Sequence, residues 1–342
     1  MVFTIDLGKT IIKKNKIIFL LIKLYLINYF NKFSFFIFTT NCFNRIIIKK
    51  LNQEHIIGVD IGGTHITCGI IDILSGTILE ESVVRKSVNS MASSEEITDD
   101  FSEALKSTFT NRINNKDIKI GIAMPGPFDY VNGISLIKGQ NKFDSLYKTN
   151  LKKSLAQKLN VKPSQIIFEN DAACFITGEA LFGIGSPEKN LLGLTLGTGL
   201  GTCDYIDSKG RDLNKWNAPF KKSIAEDYLS TRWFTSEFEK LTSRKINGVK
   251  EIIATQDSEI IHSLFEEYGK NLAEFLIQTL DAAKYDLVIL GGNISKSYHL
   301  FEKALNQEIK KRNGDILIKT SVKGENAALL GAAGLWNNQK LQ

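Results

Sequence analysis

Two short glycine loops, each set directly behind an apolar strand, constrain this chain more than any other feature. Strand Ile56–Ile61 runs into Gly62-Gly63-Thr64, and a second strand, Ile66–Ile71, follows at once. Far downstream, strand Leu191–Leu196 runs into Gly197-Thr198-Gly199-Leu200-Gly201-Thr202. Between them Glu169-Asn170-Asp171 closes the strand Gln165–Phe168. Two anion-sized loops with a carboxylate between them is a layout suited to phosphoryl transfer, and either loop alone would be weak evidence.

The physics is direct. A phosphate tail needs donors at close range, and glycine lets the backbone approach without a Cβ and take positive φ. Successive backbone N–H groups then form an anion-binding concavity, to which the Thr64 and Thr198 hydroxyls add donors. Asp60, at the mouth of the first loop, suits Mg²⁺ or its water shell, because Mg²⁺ usually takes few carboxylates and keeps its waters. A tight hairpin turn is the plain alternative for each loop alone, since strand follows both. Neither loop has the G-x-x-x-x-G-K-[ST] pattern. Neither is a Rossmann fingerprint, because strand rather than helix follows.

The 342 residues suffice for two domains with large cores. The net charge of +6 is unevenly spread: residues 1–50 carry +8 and the remainder −2. The near-neutral remainder offers no basic face for nucleic acid. Residues 17–38 are mostly Ile, Leu, Phe, Tyr and Asn, with Lys23 and Lys32 inside the run. A membrane anchor of this length is feasible, though each central Lys would cost about 3 kcal/mol. No small-residue cleavage site follows, which argues against a removed signal peptide. A third reading is upstream A/T-rich DNA translated from a misplaced start. The four cysteines, Cys42, Cys68, Cys174 and Cys203, and the four histidines lack ligand spacing. They suggest neither a disulfide framework nor zinc. A cytoplasmic location is expected, with tethering by residues 17–38 as the alternative.

From residue 55 the pattern is mixed α/β. Strands are expected at Ile56–Ile61, Ile66–Ile71, Thr77–Val84 and Ile118–Met124. Ser93 and Glu96 have capping-box spacing, and Ile97, Phe101, Leu105 and Phe109 recur at helical period. Pro125-Gly126-Pro127 leads into a loop containing Gly139 and Asn141. Helices are expected through Leu151–Leu159, after Asp171, over Ile224–Leu241, over Ile260–Leu280, and over Asn326–Trp336. The buried strand Leu287–Leu290 runs into Gly291-Gly292.

These motifs, in this order, resemble the ROK family (repressors, open reading frames and kinases). The matching pieces are Asp60-Ile61-Gly62-Gly63-Thr64, Pro125-Gly126-Pro127, Glu169-Asn170-Asp171-Ala172-Ala173 with Gly178-Glu179-Ala180, Leu196–Gly201 and Gly291-Gly292. They cover about residues 55–336. The resemblance implies a duplicated, actin-like ATPase (ribonuclease H-like) α/β fold with two α/β domains around a nucleotide and sugar cleft. It divides the chain into an extension, 1–52; a small domain, 53–169, joined by a C-terminal helix, 325–338; and a large domain, 170–324. It implies ATP-dependent phosphorylation of a hexose hydroxyl, with glucose the leading sugar and a homodimer the expected assembly. Asp171 resembles the general base and Asn170 a sugar ligand. Gly139 and Asn141 lie in the loop expected against the sugar. Gly62, Gly63 and Thr64 resemble the first phosphate loop, and Gly197, Thr198 and Gly199 the second. Gly291 and Gly292 resemble the glycines beside the adenosine. ATP and Mg²⁺ are the implied cofactors.

The chain departs from the family in two places. It lacks the zinc motif, a His followed by a Cys-rich run. It also lacks the Gly-Glu-x-Gly-His segment, in whose place stands Arg211–Phe220. Glu226 aligns with the Glu that ends the zinc motif and contacts sugar, with a solvated helix-face carboxylate as the alternative. Trp216 is read as a core ring in preference to a sugar-stacking one. Phosphoryl transfer from polyphosphate, and a non-catalytic sugar sensor or repressor, stand as alternative functions. Residues 1–50 are too apolar for a DNA-reading helix-turn-helix.

Overall fold

The hairpin around the first glycine loop is the seed of one of two similar sheets. β1 (His55–Ile61) and β2 (His65–Asp72) pair antiparallel, with Ile61 opposite Ile66 across the loop. β3 (Thr77–Ile78) and β4 (Val84–Ser87) add to the outer edge of β2. The computed structural model describes residues 55–109, 118–185, 189–312 and 314–338. These fall in one unit, Glu54–Gln342; the apolar run 17–38 and Cys42 lie outside the described residues. No helix among the described residues is long and apolar enough to cross a membrane.

Helix α1 (Ser94–Thr108) starts where Ser93 Oγ accepts the Glu96 N–H at 3.2 Å. β5 (Ile120–Met124) then pairs parallel with β1. A small hairpin, β6 (Phe128–Asp129) with β7 (Ile134–Ser135), and α2 (Leu151–Leu159) lead to β8 (Ile166–Asn170), parallel to β5. Helix α3 (Asp171–Phe182) crosses to the second half.

The second sheet repeats this plan. β9 (Leu191–Leu196) and β10 (Leu200–Ile206) form an antiparallel hairpin around the second glycine loop, and β11 (Lys209–Asp212) extends it. A short hairpin follows, β12 (Pro219–Phe220) with β13 (Ser223–Ile224). Helices α4 (Ala225–Leu229), α5 (Thr231–Thr242), α6 (Val249–Ala254) and α7 (Ser258–Gln278) come next. β14 (Leu287–Gly291) lies parallel to β9. α8 (Tyr298–Lys311) then leads to β15 (Ile318–Thr320), parallel to β14. Helix α9 (Ala327–Asn338) ends the described chain.

Alternation along the strands decides what covers each sheet face. In β1, Ile57, Val59 and Ile61 face a core shared with Phe101 and Leu105 of α1 and Leu151 and Leu155 of α2, while Ile56 faces Leu329, Leu330 and Trp336 of α9. In β9, Leu192, Leu194 and Leu196 face Phe265, Leu272 and Phe275 of α7, while Leu191 faces Phe175 and Ile176 of α3. Helices α3 and α9 are thus buried between the two sheets and pack on each other. They need glycine to do so: a Cβ on Gly331 would lie 1.7 Å from the Cys174 carbonyl oxygen, and one on Gly178 2.0 Å from that of Ala327.

Two expected elements are interrupted. The single strand expected over Thr77–Val84 is broken by a 3₁₀ turn at Glu80–Ser82. There Ser82 Oγ takes the Ile70 N–H at 2.8 Å, in the place of a ladder carbonyl. The helix expected over Ile224–Leu241 stops at Ser230, which is extended (φ −109°, ψ 173°). That break is used by the site described next.

Candidate active site

β8 ends at Asn170, and the Asn170 side chain caps α3. Its Oδ1 accepts the N–H groups of Ala172 at 2.8 Å and Ala173 at 3.1 Å. Its Nδ2 donates to Tyr130 Oη at 3.3 Å, and that hydroxyl donates to the Met124 carbonyl at 3.1 Å. The Asn170 amide, expected as a sugar ligand, is therefore largely spent on the helix cap and on Tyr130.

Asp171 is the first residue of α3, and its Oδ1 accepts the Ala172 N–H at 3.0 Å. It is half-buried at the meeting point of two cavities. One, of 590 Å³, is bounded by Asp60, Gly291, Gly292, Lys296, His299 and Ser321 among others. The other, of 940 Å³, is bounded by Pro125, Tyr130, Lys142, Asn170, the second glycine loop and Glu226 among others. Asp171, Ala172, Thr195 and Gly292 belong to both walls. Gly292 has φ +83°, and a Cβ there would sit 2.3 Å from the Leu196 carbonyl oxygen, so this junction requires glycine.

Burial raises the Asp171 carboxyl above its ordinary range, while the Ala172 N–H and the charge of Lys142 act in the other direction. Asp60, on the same cavity wall, is pushed up to about 7 by burial and then by the charge of Asp171; Arg85 opposes the shift. Two carboxylates facing one cleft with little compensating charge make a place where a cation is favoured. This donor set fits a magnesium ion held through water at Asp60. Among the described residues no group of three or more His, Cys, Asp or Glu side chains is arranged to hold a metal.

The two glycine loops differ in setting. In the first, the Gly62 N–H donates to the His65 carbonyl at 2.8 Å, and Gly62 and Thr64 are exposed. Gly62, Gly63 and Thr64 line neither cavity. The Lys142 side chain reaches to 3.9 Å from where a Gly63 Cβ would stand. In the second, Gly197, Thr198 and Gly199 line the larger cavity, and nothing lies within 4 Å of a Cβ built on Gly197. None of Gly62, Gly63, Gly197 and Gly199 has positive φ. What glycine contributes in these loops is not left-handed geometry: it leaves open space at Gly197, and at Gly199 it makes room for Glu226, whose Oε2 would lie 2.8 Å from a Cβ there.

The second loop is clamped from both sides. Thr231 gives both its N–H (2.8 Å) and its Oγ1 (2.9 Å) to the Gly197 carbonyl, which the break at Ser230 makes possible. Glu226 Oε2 accepts the Leu200 N–H at 3.0 Å, and its Oε1 pairs with Arg232 at 2.9 Å. Glu226, expected as a sugar contact, is on the cavity wall but holds the loop with one oxygen and Arg232 with the other.

Gly139 and Asn141 do not line either cavity; their neighbours Gln140 and Lys142 do. The backbone is left-handed at Gly139 (φ 69°), Asn141 (φ 56°) and Phe143 (φ 57°), so the loop turns at every second residue. Gly291 and Gly292 line the smaller cavity. Trp216 is not a core ring: it is 40% exposed and faces the larger cavity. Lys142, Tyr130 and Thr231 were not singled out by sequence. A lysine in a turn, a lone tyrosine and a helix-start threonine carry no local signal of a shared cleft.

A sequence model of the ROK family matches residues 56–211 and 221–339. The chain belongs to the ROK family. The residues between the two matched stretches, 212–220, fall within Arg211–Phe220, where the resemblance expects a Gly-Glu-x-Gly-His segment. Among curated relatives, the glucokinase of Thermotoga maritima is 25% identical over 317 residues, spanning 82% of this chain and 96% of that protein. The xylose repressor of Bacillus subtilis is 25% identical over 317 residues, spanning 85% of this chain and 79% of the repressor. The solved ROK glucokinase of Streptomyces griseus, in complex with glucose and AMPPNP, superposes with TM-score 0.64 at 23% identity, covering 82% of this chain and 99% of that one. The fold is that of the actin-like ATPases.

Proposed function

We propose that this protein transfers the γ-phosphoryl group of ATP to a hydroxyl of a hexose, with glucose the first candidate. One observation carries the reading. A carboxylate, Asp171, sits where a cavity bounded by Gly291-Gly292 meets a cavity bounded by the second glycine loop. A nucleotide on one side and a sugar on the other would meet at that carboxylate.

Asp171 would accept the proton of the attacking hydroxyl, a role typically worth about 10² to 10⁴ in rate. Its upward shift moves it toward the useful range for a base near neutral pH. The N–H groups of the second loop would hold the transferring phosphoryl group, and Lys142 would add charge nearby. Mg²⁺ bound through water at Asp60 would neutralise phosphate charge. Residues 53–169 with 325–338 would close on residues 170–324 and exclude water, so that ATP is not hydrolysed without product.

The likeness to a xylose repressor favours a second reading, a sugar-binding regulator without catalysis. Against it stand Asp171 at the cavity junction and the clamped second loop. A coupled assay across hexoses and N-acetylated amino sugars, with ATP and polyphosphate as parallel donors, tests both. Sugar-dependent phosphoryl transfer from ATP is the expected result. Sugar binding without transfer from either donor favours the regulator.

A further inference from the structure

Residues 212–220 are where this chain parts from its family, yet they are built into the larger cavity. The N–H groups of Leu213 and Lys215 donate to the carbonyl (2.8 Å) and Oγ1 (2.9 Å) of Thr202, beside the second glycine loop. The Asn214 N–H donates to Asp212 Oδ1 at 2.8 Å, and the Trp216 Nε1–H donates to Asn214 Oδ1 at 2.7 Å. The Trp216 carbonyl accepts the Glu226 N–H at 2.9 Å. The indole is therefore held in place by its own hydrogen bond while its ring stays open to the cavity.

An aromatic ring fixed at the wall of a polar cavity is a binding surface. The other two tryptophans, Trp233 and Trp336, are 6% and 7% exposed, against 40% for Trp216. Asp212 and Asn214 line the same cavity as Asn170 and Asp171. Of the four charged side chains on that wall, Asp171, Asp212 and Glu226 are carboxylates, Glu226 being paired with Arg232, and Lys142 is cationic. Asp212 beside the indole disfavours a carboxylate on the sugar itself, while N–H groups of the second loop on the same wall stay available to phosphate.

We propose that residues 212–216 form the specificity-determining wall of the sugar site: Trp216 stacks on the apolar face of a neutral pyranose, and Asp212 and Asn214 bind its hydroxyls. Uronic acids are turned away by the Asp212 carboxylate. This deepens the sugar-kinase reading and rests on it for the identity of the ligand class.

Acrylamide quenching of tryptophan fluorescence in the full chain tests the wall directly, because Trp216 is the open fluorophore. D-glucose should protect against quenching in the wild type and not in Trp216→Phe, whereas D-glucuronate should give no protection. In the coupled assay, Trp216→Ala should raise the sugar KM about tenfold, the size of a lost aromatic contact, and leave the ATP KM unchanged. Trp216→Phe should recover most of that loss. Phosphorylation of glucose with no protection of Trp216 and no change in sugar KM would overturn the inference and leave the kinase reading intact. Protection by glucose without phosphorylation would support the wall and refute the kinase reading. Neither protection nor phosphorylation would remove both.

Discussion

Asp60 offers a quantitative test of the cleft's electrostatics. It sits near the end of β1, paired with Thr67 and Ala123 of the neighbouring strands. Its carboxyl is pushed from 3.8 to about 7 by burial and by the charge of Asp171. A raised carboxyl favours the protonated form in the folded state. Its contribution is intact below about pH 4 and is lost as pH rises through about 7. At 1.36 kcal/mol per pKa unit, the loss at pH 8 reaches up to about 4 kcal/mol. Asp60→Asn keeps the shape and removes the charge. With unfolding entropy of about 2.1 cal/mol/K per residue, that loss corresponds to a Tm gain of up to about 6 °C for Asp60→Asn at pH 8. The gain should shrink to about 1 °C at pH 4. Thermal melts of both proteins across this pH range, with EDTA present, give the comparison. Added Mg²⁺ and nucleotide should narrow the difference at pH 8, because a nearby cation relieves the buried charge. A Tm difference that is flat with pH, or larger at low pH, would refute the assignment.

Asp171→Asn should lower turnover by about 10² to 10⁴ while nucleotide affinity stays within a few-fold, measured by coupled assay and calorimetry; turnover within threefold of wild type would show that Asp171 is only part of a helix start. Gly331→Ala forces a Cβ to 1.7 Å from the Cys174 carbonyl oxygen, and should destabilise the protein by about 1–3 kcal/mol, read as a lower denaturation midpoint. Gly197→Ala meets nothing within 4 Å, so it should leave the melting curve unchanged and weaken nucleotide use; a stability loss there would contradict the open-loop geometry. A chain beginning at Gln53, just before β1, should fold and retain the activity of the full chain in a side-by-side melt and assay.

Local sequence determined the elements whose reasons are local. Apolar runs bounded by glycine gave β1, β2, β9 and β10, because a strand needs only alternating burial and a turn that tolerates tight geometry. Spacing of three and four residues gave α1 and α7, since one helical face must be buried. Asn170 and Asp171 stood out because a strand ends there and a helix begins. Tertiary structure decided everything that depends on approach from elsewhere in the chain. Asp60 and Asp171 are far apart in sequence, and only the packing of β1 beside β5 and β8 puts both on one cleft. The break at Ser230 answers to the Gly197 carbonyl, which Thr231 must reach, so helical propensity alone joins α4 to α5. Left-handed turns place Gln140 and Lys142, rather than Gly139 and Asn141, on the cavity wall. Trp216 reads as core by its apolarity, yet the hydrogen bonds of residues 212–216 to Thr202 and Glu226 hold its ring at an open surface. Hydrophobicity sets what a side chain favours on average; which side of a cavity wall it occupies is fixed by the partners its neighbours find.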